Sequence, residues 1–192
     1  HMLPHVVNRP LTLVRCPNGR DKPCFFQKHP GEGTPAGIHR VNVRQNDGKA
    51  PYGVIDDADG LRALVQLGAL EIHTWGAHVA HATRPDLLVF DLDPDIGLPF
   101  SEVIQCARSL RRLFESWRLE SFVKTTGGQG LHVCVPIVPD LGWDQAKAFA
   151  QTVAAEMVKF NPNKYIATQS KAKRKGKIYV DYLRNARGAT FI

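Results

Sequence analysis

The feature that most constrains the fold is an uninterrupted apolar run at 87–90 that leads directly into the acidic segment 91–95, Asp-Leu-Asp-Pro-Asp. A short, continuous apolar run is typical of a buried β-strand, which needs a sheet beside it and a packed layer against it. Side chains alternate faces along a strand, so Asp91 and Asp93 should point to one face while the apolar residues next to them point to the core.

These carboxylates predict a metal site. Two carboxylates one strand repeat apart on a half-buried face repel each other, which raises one pKa unless a cation lies between them. Asp181 offers a third carboxylate at the end of another apolar strand. Three carboxylates on neighbouring strands can hold two divalent ions, the arrangement used for phosphoryl and nucleotidyl transfer. Mg²⁺ or Mn²⁺, hard cations that prefer oxygen ligands, suit Asp91, Asp93 and Asp181.

Other interpretations compete for the acidic segment. It has the acidic spacing of a calcium-binding EF-hand, but the sixth position is Ile96 instead of glycine and a strand leads in, so we reject that reading. An aspartyl-phosphate phosphatase would use Asp91 as its nucleophile, although Asp95 stands where such enzymes usually have Thr or Val. A strand end that simply carries acidic residues is common for an isolated Asp-x-Asp pair, and Asp181 is what favours a metal site.

Strand-like and helix-like runs alternate along the chain, which indicates a mixed α/β fold. Gly68 ends the first predicted helix, Ser101 caps the second and Pro162 stops the third. The hairpin-like spacing of the strands favours an antiparallel or mixed sheet. The predicted strands lie at 11–15, 24–28, 39–44, 70–75, 87–90, 121–125, 131–136 and 177–183, and the predicted helices at 59–67, 101–117 and 143–160.

A glycine-rich loop separates two of the predicted strands, within the segment 124–132, KTTGGQGLH. Glycines allow backbone N–H groups to approach phosphate oxygens closely. The loop is neither a Walker loop, since no Gly-Lys-Ser/Thr ends it, nor a dinucleotide fingerprint, since a strand follows it. Many hairpins look like this, so the glycines alone are a weak signal. His132 can donate to a phosphate oxygen, and a half-buried structural histidine is the commoner alternative.

The net charge of +7 is confined to the C-terminal end of the sequence. Residues 1–163 carry 17 basic and 17 acidic side chains, whereas residues 164–192 carry eight basic side chains against Asp181 alone. A neutral body with a basic end suggests a polyanionic partner, and a solvated basic loop is an equally simple explanation.

The cysteines and the apolar runs exclude several classes of protein. Cys16, Cys24, Cys106 and Cys134 form no Cys-x-x-Cys pair, so we expect neither a cysteine-based zinc site nor a disulfide framework. No apolar run approaches the roughly 18–20 residues of a membrane helix, and no signal peptide opens the chain. We therefore expect a reducing cytoplasm, and we read His1-Met2 as a cloning scar.

Taken together, these segments resemble the polymerase domain of bacterial DNA ligase D, within the archaeo-eukaryotic primase superfamily. Residues 91–95 match its first motif, 126–132 its second and 180–185 its third. The resemblance implies one primase-polymerase catalytic domain over 3–192. Its fold would be an RRM-like mixed or antiparallel sheet flanked by helices, with a smaller N-terminal α/β unit. Segments at 9–11, 24–29, 71–76 and 170–174 also match that family, so the resemblance covers nearly the whole chain.

The resemblance also implies an activity. Asp91, Asp93 and Asp181 would hold two catalytic Mn²⁺ or Mg²⁺ ions, which activate a primer 3′-hydroxyl and steady the pyrophosphate leaving group. The family extends broken DNA ends in non-homologous end joining, with a preference for ribonucleotides. DNA ends and nucleoside triphosphates are thus the expected partners, beside a ligase module and an end-binding protein, in a nucleoid-associated location.

The implied binding residues fall into two groups. The nucleotide-binding residues would be Thr126, Gly127, Gly128, His132 and Arg184. The DNA-binding residues would be Phe25 and Phe26, as an aromatic platform for a template base, with Lys28, Lys171, Lys173 and Arg174.

The chain departs from the family pattern at both ends. From the resemblance we expect the family's helical lead-in, with lysines that bind a 5′-phosphate, to be lacking before Arg9, and its arginine-bearing segment to be lacking after Thr190. Thr126 stands where serine is more common, and its hydroxyl preserves the expected role. A catalytically incomplete DNA-binding module is therefore the alternative to an active polymerase.

Overall fold

Two sheets organise the chain, each in its own unit. The computed structural model describes residues 2–45 and 48–192, and the side chain of Lys171 lies outside that description. One unit comprises residues 1–84 together with 187–192, and the other comprises residues 85–186.

The first unit is built on a five-stranded antiparallel sheet. Its elements are α1 (Leu3–Val6), β1 (Leu11–Arg15), β2 (Phe25–Gln27), β3 (His39–Gln45), β4 (Gly48–Val54), α2 (Ala58–Gln66), β5 (Ala69–Thr74) and a 3-10 helix, Val79–His81. β1 pairs with β2, β4 and β5, and β4 pairs with β3. The Asp57 side chain caps α2 by accepting a hydrogen bond from Gly60 N at 2.8 Å. Leu11, Ile55 and Leu64 are among the buried residues that join α2 to the sheet.

The second unit has the order βαββαββ, which is the split βαβ arrangement of RRM-like folds with one additional short strand, Tyr165–Ile166, before the last strand. Its elements are β6 (Leu87–Pro94), α3 (Phe100–Ser116), β7 (Phe122–Thr125), β8 (Leu131–Pro136), α4 (Trp143–Phe160), β9 (Tyr165–Ile166) and β10 (Ile178–Asp181), with 3-10 helices at Lys171–Lys173 and Leu183–Asn185. The strand order is β7-β8-β6-β10-β9, and only the β9–β10 pair is parallel among the described strands. The expected RRM-like sheet with a smaller N-terminal α/β unit is confirmed.

Both long helices of the second unit pack against one face of its sheet. Phe90 and Leu92 on β6 and Val133 on β8 point into this layer, and each is at most 2% exposed. The period-2 alternation of the strands then places the residues between them on the opposite face, where no long helix of this unit's core cluster lies. That face, which we call the open face because neither long helix of this unit packs on it, carries the candidate site, although Asp91 and Asp181 on it are only 7% and 8% exposed.

Two local expectations were wrong. The N-cap position of α3 is Pro99 rather than Ser101, and no side chain caps that helix. A disulfide joins Cys16 to Cys24, although these cysteines form no Cys-x-x-Cys pair and no disulfide was expected. β1 ends before Cys16 and β2 begins after Cys24, so the antiparallel pair Arg15↔Phe25 brings the two cysteines together.

The sequence was expected to contain no membrane-spanning helix. In the ranges that the structure describes, no helix combines the length and the apolar character that crossing a bilayer requires.

Candidate active site

Strand pairing brings the three predicted metal ligands together on the open face of the second sheet. Asp91 on β6 lies opposite Asp181 on β10, and Asp93 follows two residues later on the same face. One carboxylate oxygen from each residue lies within 4.8 Å of the others. Hard cations that bind oxygen at about 2.0–2.6 Å can bridge such a group.

Asp91 is the carboxylate that two basic side chains contact directly. It is 7% exposed, and its Oδ2 accepts hydrogen bonds from Arg184 Nε at 3.3 Å and Nη2 at 3.2 Å. His132 Nε2 lies 3.5 Å from the same oxygen. Burial opposes ionisation of Asp91, but His132 and Arg184 together outweigh it and hold its pKa below the ordinary value. In both of these contacts the carboxylate oxygen that is approached is Oδ2.

Asp181 is fixed through one oxygen as well. Its Oδ1 accepts hydrogen bonds from Tyr179 Oη at 3.0 Å and from Leu183 N at 2.8 Å. Burial, followed by the Asp181 charge, raises the pKa of the Tyr179 hydroxyl. The tyrosine therefore stays protonated and acts as a donor, which orients the second oxygen of Asp181 for another ligand.

Asp93 is the carboxylate whose ionised form is disfavoured by its surroundings. Burial raises its pKa above the ordinary value, and the negative charges of Asp91 and Asp181 raise it further. Arg174 and Arg184 oppose this effect without cancelling it. A divalent cation among the carboxylates would remove the repulsion, so this donor set fits Mg²⁺ or Mn²⁺.

The glycine loop packs against β6, the strand that carries Asp91 and Asp93. A Cβ atom on Gly130 would lie 2.4 Å from the Leu92 carbonyl oxygen, so only glycine allows this approach. Gly127 has a φ of +82°, in the left-handed region that favours glycine. Gly128 N lies 3.5 Å from Thr126 Oγ1, a long hydrogen bond. The three expected nucleotide-binding residues of the loop thus precede β8, whose His132 is paired with Asp91.

The basic residues are distributed unevenly around the site. Arg174 stacks on Tyr179, with its guanidinium carbon 4.0 Å from the ring centroid, and its charge acts on Asp93. Lys173 is exposed, and the side chain of Lys171 lies outside the described residues. Gly176 N donates to Asp95 Oδ2 at 2.7 Å, which ties the basic segment to the end of β6. Arg174, which was expected to bind DNA, therefore also contributes to the electrostatics of the carboxylate site.

The expected aromatic platform lies in the first unit. Phe25 and Phe26 on β2 are 47% and 71% exposed, respectively. The Arg15 guanidinium lies 5.4 Å from the Phe25 ring centroid, and His73 meets Phe26 edge-on at 5.7 Å. The ammonium group of Lys28 lies 5.9 Å from the Tyr52 ring. Aromatic faces this open to solvent are available for stacking.

Sequence reasoning assigned no individual role to three residues on or beside the open face. Tyr179 was readable, since it lies two positions before Asp181 on the same strand. Lys124 belongs to a row of polar residues that lie opposite one another on neighbouring strands. The row crosses the sheet in the order Lys124, His132, Asp91 and Asp181. Asn185 lies within the third family motif at 180–185, but its bonds to the backbone of β6 could not be predicted because they depend on the fold.

A βαββαββ unit whose open face gathers three carboxylates, a glycine loop and basic side chains defines a primase-polymerase class of nucleotidyltransferase domain. The sequence model of the family described as "LigD, primase-polymerase domain" matches residues 1–192. The chain belongs to that family. The phosphatase interpretation of Asp91 is thereby set aside.

Relatives of known identity agree with this placement. The multifunctional non-homologous end joining protein LigD of Pseudomonas aeruginosa is 39% identical over 184 residues, covering 96% of this chain and 22% of the relative. The corresponding LigD protein of Mycobacterium tuberculosis is 34% identical over 199 residues, covering 100% and 26%. The chain thus spans about a quarter of the length of these curated relatives.

A solved structure extends the similarity to the whole fold. It is described as the polymerase domain from Mycobacterium tuberculosis ligase D in complex with DNA. The TM-score is 0.91 at 32% identity, and the match covers 100% of this chain and 69% of that one.

Proposed function

We propose that this protein is a divalent-metal-dependent nucleotidyltransferase that extends primer 3′-ends at DNA breaks during non-homologous end joining. The observation that carries the proposal is the convergence of Asp91, Asp93 and Asp181 within 4.8 Å on the open face. A preference for ribonucleotides is part of the proposal and would require a contact to the 2′-hydroxyl. The substrates would be DNA ends and nucleoside triphosphates in the bacterial cytoplasm, with a ligase module and an end-binding protein as partners.

Asp91, Asp93 and Asp181 would hold two Mn²⁺ or Mg²⁺ ions. When bound, such ions lower the pKa of the attacking hydroxyl and neutralise charge on the leaving group. Tyr179 and Leu183 N keep Asp181 oriented by occupying its Oδ1, and Arg184 does the same for Asp91 through Oδ2. These contacts pre-organise the carboxylates so that little reorganisation is needed when substrate arrives.

The triphosphate would lie between the carboxylates and the glycine loop. Thr126 would donate its hydroxyl to a phosphate oxygen, and the backbone N–H groups of Gly127 and Gly128 can approach phosphate closely. His132 and Arg184 would add charge-assisted hydrogen bonds from the side of Asp91. Both already contact that carboxylate, so a bound triphosphate would share their donors.

DNA would be held by stacking and by charge. Phe25 and Phe26 would stack on a template base, while Lys28, Lys171 and Lys173 would contact the phosphate backbone. Arg174 would contact DNA as a member of the basic segment. Its charge also acts on Asp93, so it would link DNA binding to the carboxylate site.

Primer extension tests the proposal. A DNA duplex with a 5′ overhang, Mn²⁺ and either ribo- or deoxynucleoside triphosphates would be incubated with the wild type and with Asp93→Asn. We expect metal-dependent addition that is faster with ribonucleotides and that falls by at least about a thousandfold in Asp93→Asn. The matched control is Asp140→Asn, which alters an exposed aspartate of the same unit and should extend like the wild type.

Two results would contradict the proposal. Extension by Asp93→Asn at the wild-type rate would remove the carboxylates from the chemistry. Salt-sensitive DNA binding by a folded wild type with no extension under any divalent metal would instead identify a catalytically incomplete binding module.

A further inference from the structure

Asn185 occupies the place where β10 separates from β6. The residue is 2% exposed, and its side-chain amide makes both of the bonds that a neighbouring strand would make to Val89. Oδ1 accepts from Val89 N at 2.8 Å, and Nδ2 donates to Val89 O at 2.8 Å. Nδ2 also donates to Tyr182 O at 2.8 Å, so three backbone groups depend on one side chain.

This side chain replaces a strand at the edge of β6. The antiparallel ladder between β10 and β6 runs from Ile178↔Pro94 to Asp181↔Asp91 and ends there. Buried backbone N–H and C=O groups need partners, and the next positions of β6 toward its N-terminus lie beyond that ladder. The amide of Asn185 supplies the partners, which frees the main chain to turn into the 3-10 helix Leu183–Asn185 immediately after the carboxylates.

The turn held in this way presents two groups to the site. Leu183 N donates to Asp181 Oδ1, and Arg184 reaches Asp91 Oδ2 with two nitrogens. Arg184 is immediately followed by Asn185, so the clamp fixes the backbone from which the guanidinium extends. An asparagine suits the position because a planar amide offers a donor and an acceptor side by side, as a peptide group does.

We propose that Asn185 is a positioning residue for the nucleotide site, which acts by holding Arg184 against Asp91. The inference rests on the proposed function, because Arg184 has a role in the reaction only if a triphosphate binds at this face. Asn185 itself would touch neither substrate nor metal. Its contribution should therefore pass through Arg184.

A double-mutant cycle on nucleotide binding tests this dependence. The equilibrium dissociation constant for ATP with Mn²⁺ would be measured for the wild type, Arg184→Ala, Asn185→Ala and the double variant. We expect each single variant to bind about tenfold more weakly, and the double variant to bind no more than about twofold more weakly than Arg184→Ala. Asn163→Ala, which alters an exposed asparagine in the same unit, is the control and should bind like the wild type.

Thermal unfolding of each variant separates positioning from loss of fold. Should Asn185→Ala show no cooperative transition, Asn185→Asp takes its place in the cycle, because its carboxylate keeps the acceptor for Val89 N while losing both Nδ2 donations. The same limits on the fold-changes then apply.

The outcomes distinguish the inference from the function beneath it. Losses that multiply in the double variant would show that Asn185 acts independently of Arg184, and wild-type binding by a folded Asn185→Ala would show that it does not act at all. Either result overturns the inference and leaves the proposed function intact. A folded wild type that binds no ATP overturns the proposed function and this inference together.

Discussion

Asp91 and Asp93 lie two residues apart on one strand, yet their pKa values move in opposite directions. Both are partly buried, which disfavours the charged form. Asp91 has His132 and Arg184 as direct partners, whereas Asp93 faces the charges of two other carboxylates. The two aspartates therefore differ because of their environments. Asp91 is ionised by its basic partners, whereas the ionised form of Asp93 is the one that a cation would stabilise most.

The convergence of the three carboxylates could be predicted from the sequence, because strand periodicity and the ends of apolar runs are local signals. It could not predict which partner each carboxylate has. Arg184 and Asp91 are separated by 93 positions, and their contact depends on the pairing of β6 with β10 and on the clamp at Asn185.

Asp93→Asn should stabilise the metal-free protein while abolishing extension. The folded-state pKa of Asp93 is raised, so its ionised form costs stability above that pKa, and the cost vanishes as pH falls below the unfolded value. At neutral pH we expect the free energy of unfolding to rise by up to about 1 kcal/mol after solvent screening, with a smaller gain at acidic pH. Denaturant unfolding in a chelator, with Asp140→Asn as control, measures this. A less stable Asp93→Asn at neutral pH would refute the electrostatic account.

At the scale of elements, the sequence located most helices and strands of both units. The expected helix at 143–160 agrees with α4 at both ends, and the expected strand at 131–136 agrees with β8. The strand β4 was missed because Gly48, Pro51 and Gly53 interrupt its pattern. β4 meets β1 only at Gly53, so Pro51 has no second ladder to break and the antiparallel pairing with β3 survives.

The entry into β8 is a second place where an element depends on one residue. Gly130→Ala would place a methyl group 2.4 Å from the Leu92 carbonyl oxygen, so β6 and β8 would have to move apart beside Asp91. We expect a loss of roughly 1–3 kcal/mol in the free energy of unfolding. Gly128→Ala is the matched control, because the nearest contact of its new Cβ beyond the adjacent residues would be Thr126 Oγ1, at an ordinary 3.7 Å. Equal losses in the two variants would contradict the close-approach argument.

At the scale of the whole molecule, the segment that carries the net positive charge also contains several residues of the candidate site. The basic stretch 164–192 provides the entire net charge of +7, and it also contains Asp181, Arg184 and Asn185. The backbone of this stretch is tied to the carboxylate strand through Asp95 and Gly176. The assignment of one catalytic domain to 3–192 stays a prediction, since each unit has its own sheet and its own core.

The charge distribution predicts a strong salt dependence of DNA binding. Each lysine that neutralises a phosphate releases counterions, so Lys173→Ala should weaken binding and reduce the slope of log K against log salt by about one. Lys159→Ala, at an exposed position of α4 outside the basic stretch, should leave the slope unchanged. Fluorescence anisotropy with a labelled DNA duplex over a salt series provides the slopes. An unchanged slope in Lys173→Ala would show that the basic segment is merely solvated.

The central claim is that Asp91, Asp93 and Asp181 form a site for divalent cations used in nucleotidyl transfer. Electron paramagnetic resonance titration of free Mn²⁺ in the presence of ATP tests it most directly, because it counts ions without requiring turnover. We expect about two Mn²⁺ ions per wild-type protein and the loss of at least one in Asp93→Asn, with Asp140→Asn unchanged. Equal binding of Mn²⁺ by the wild type and Asp93→Asn would contradict the account.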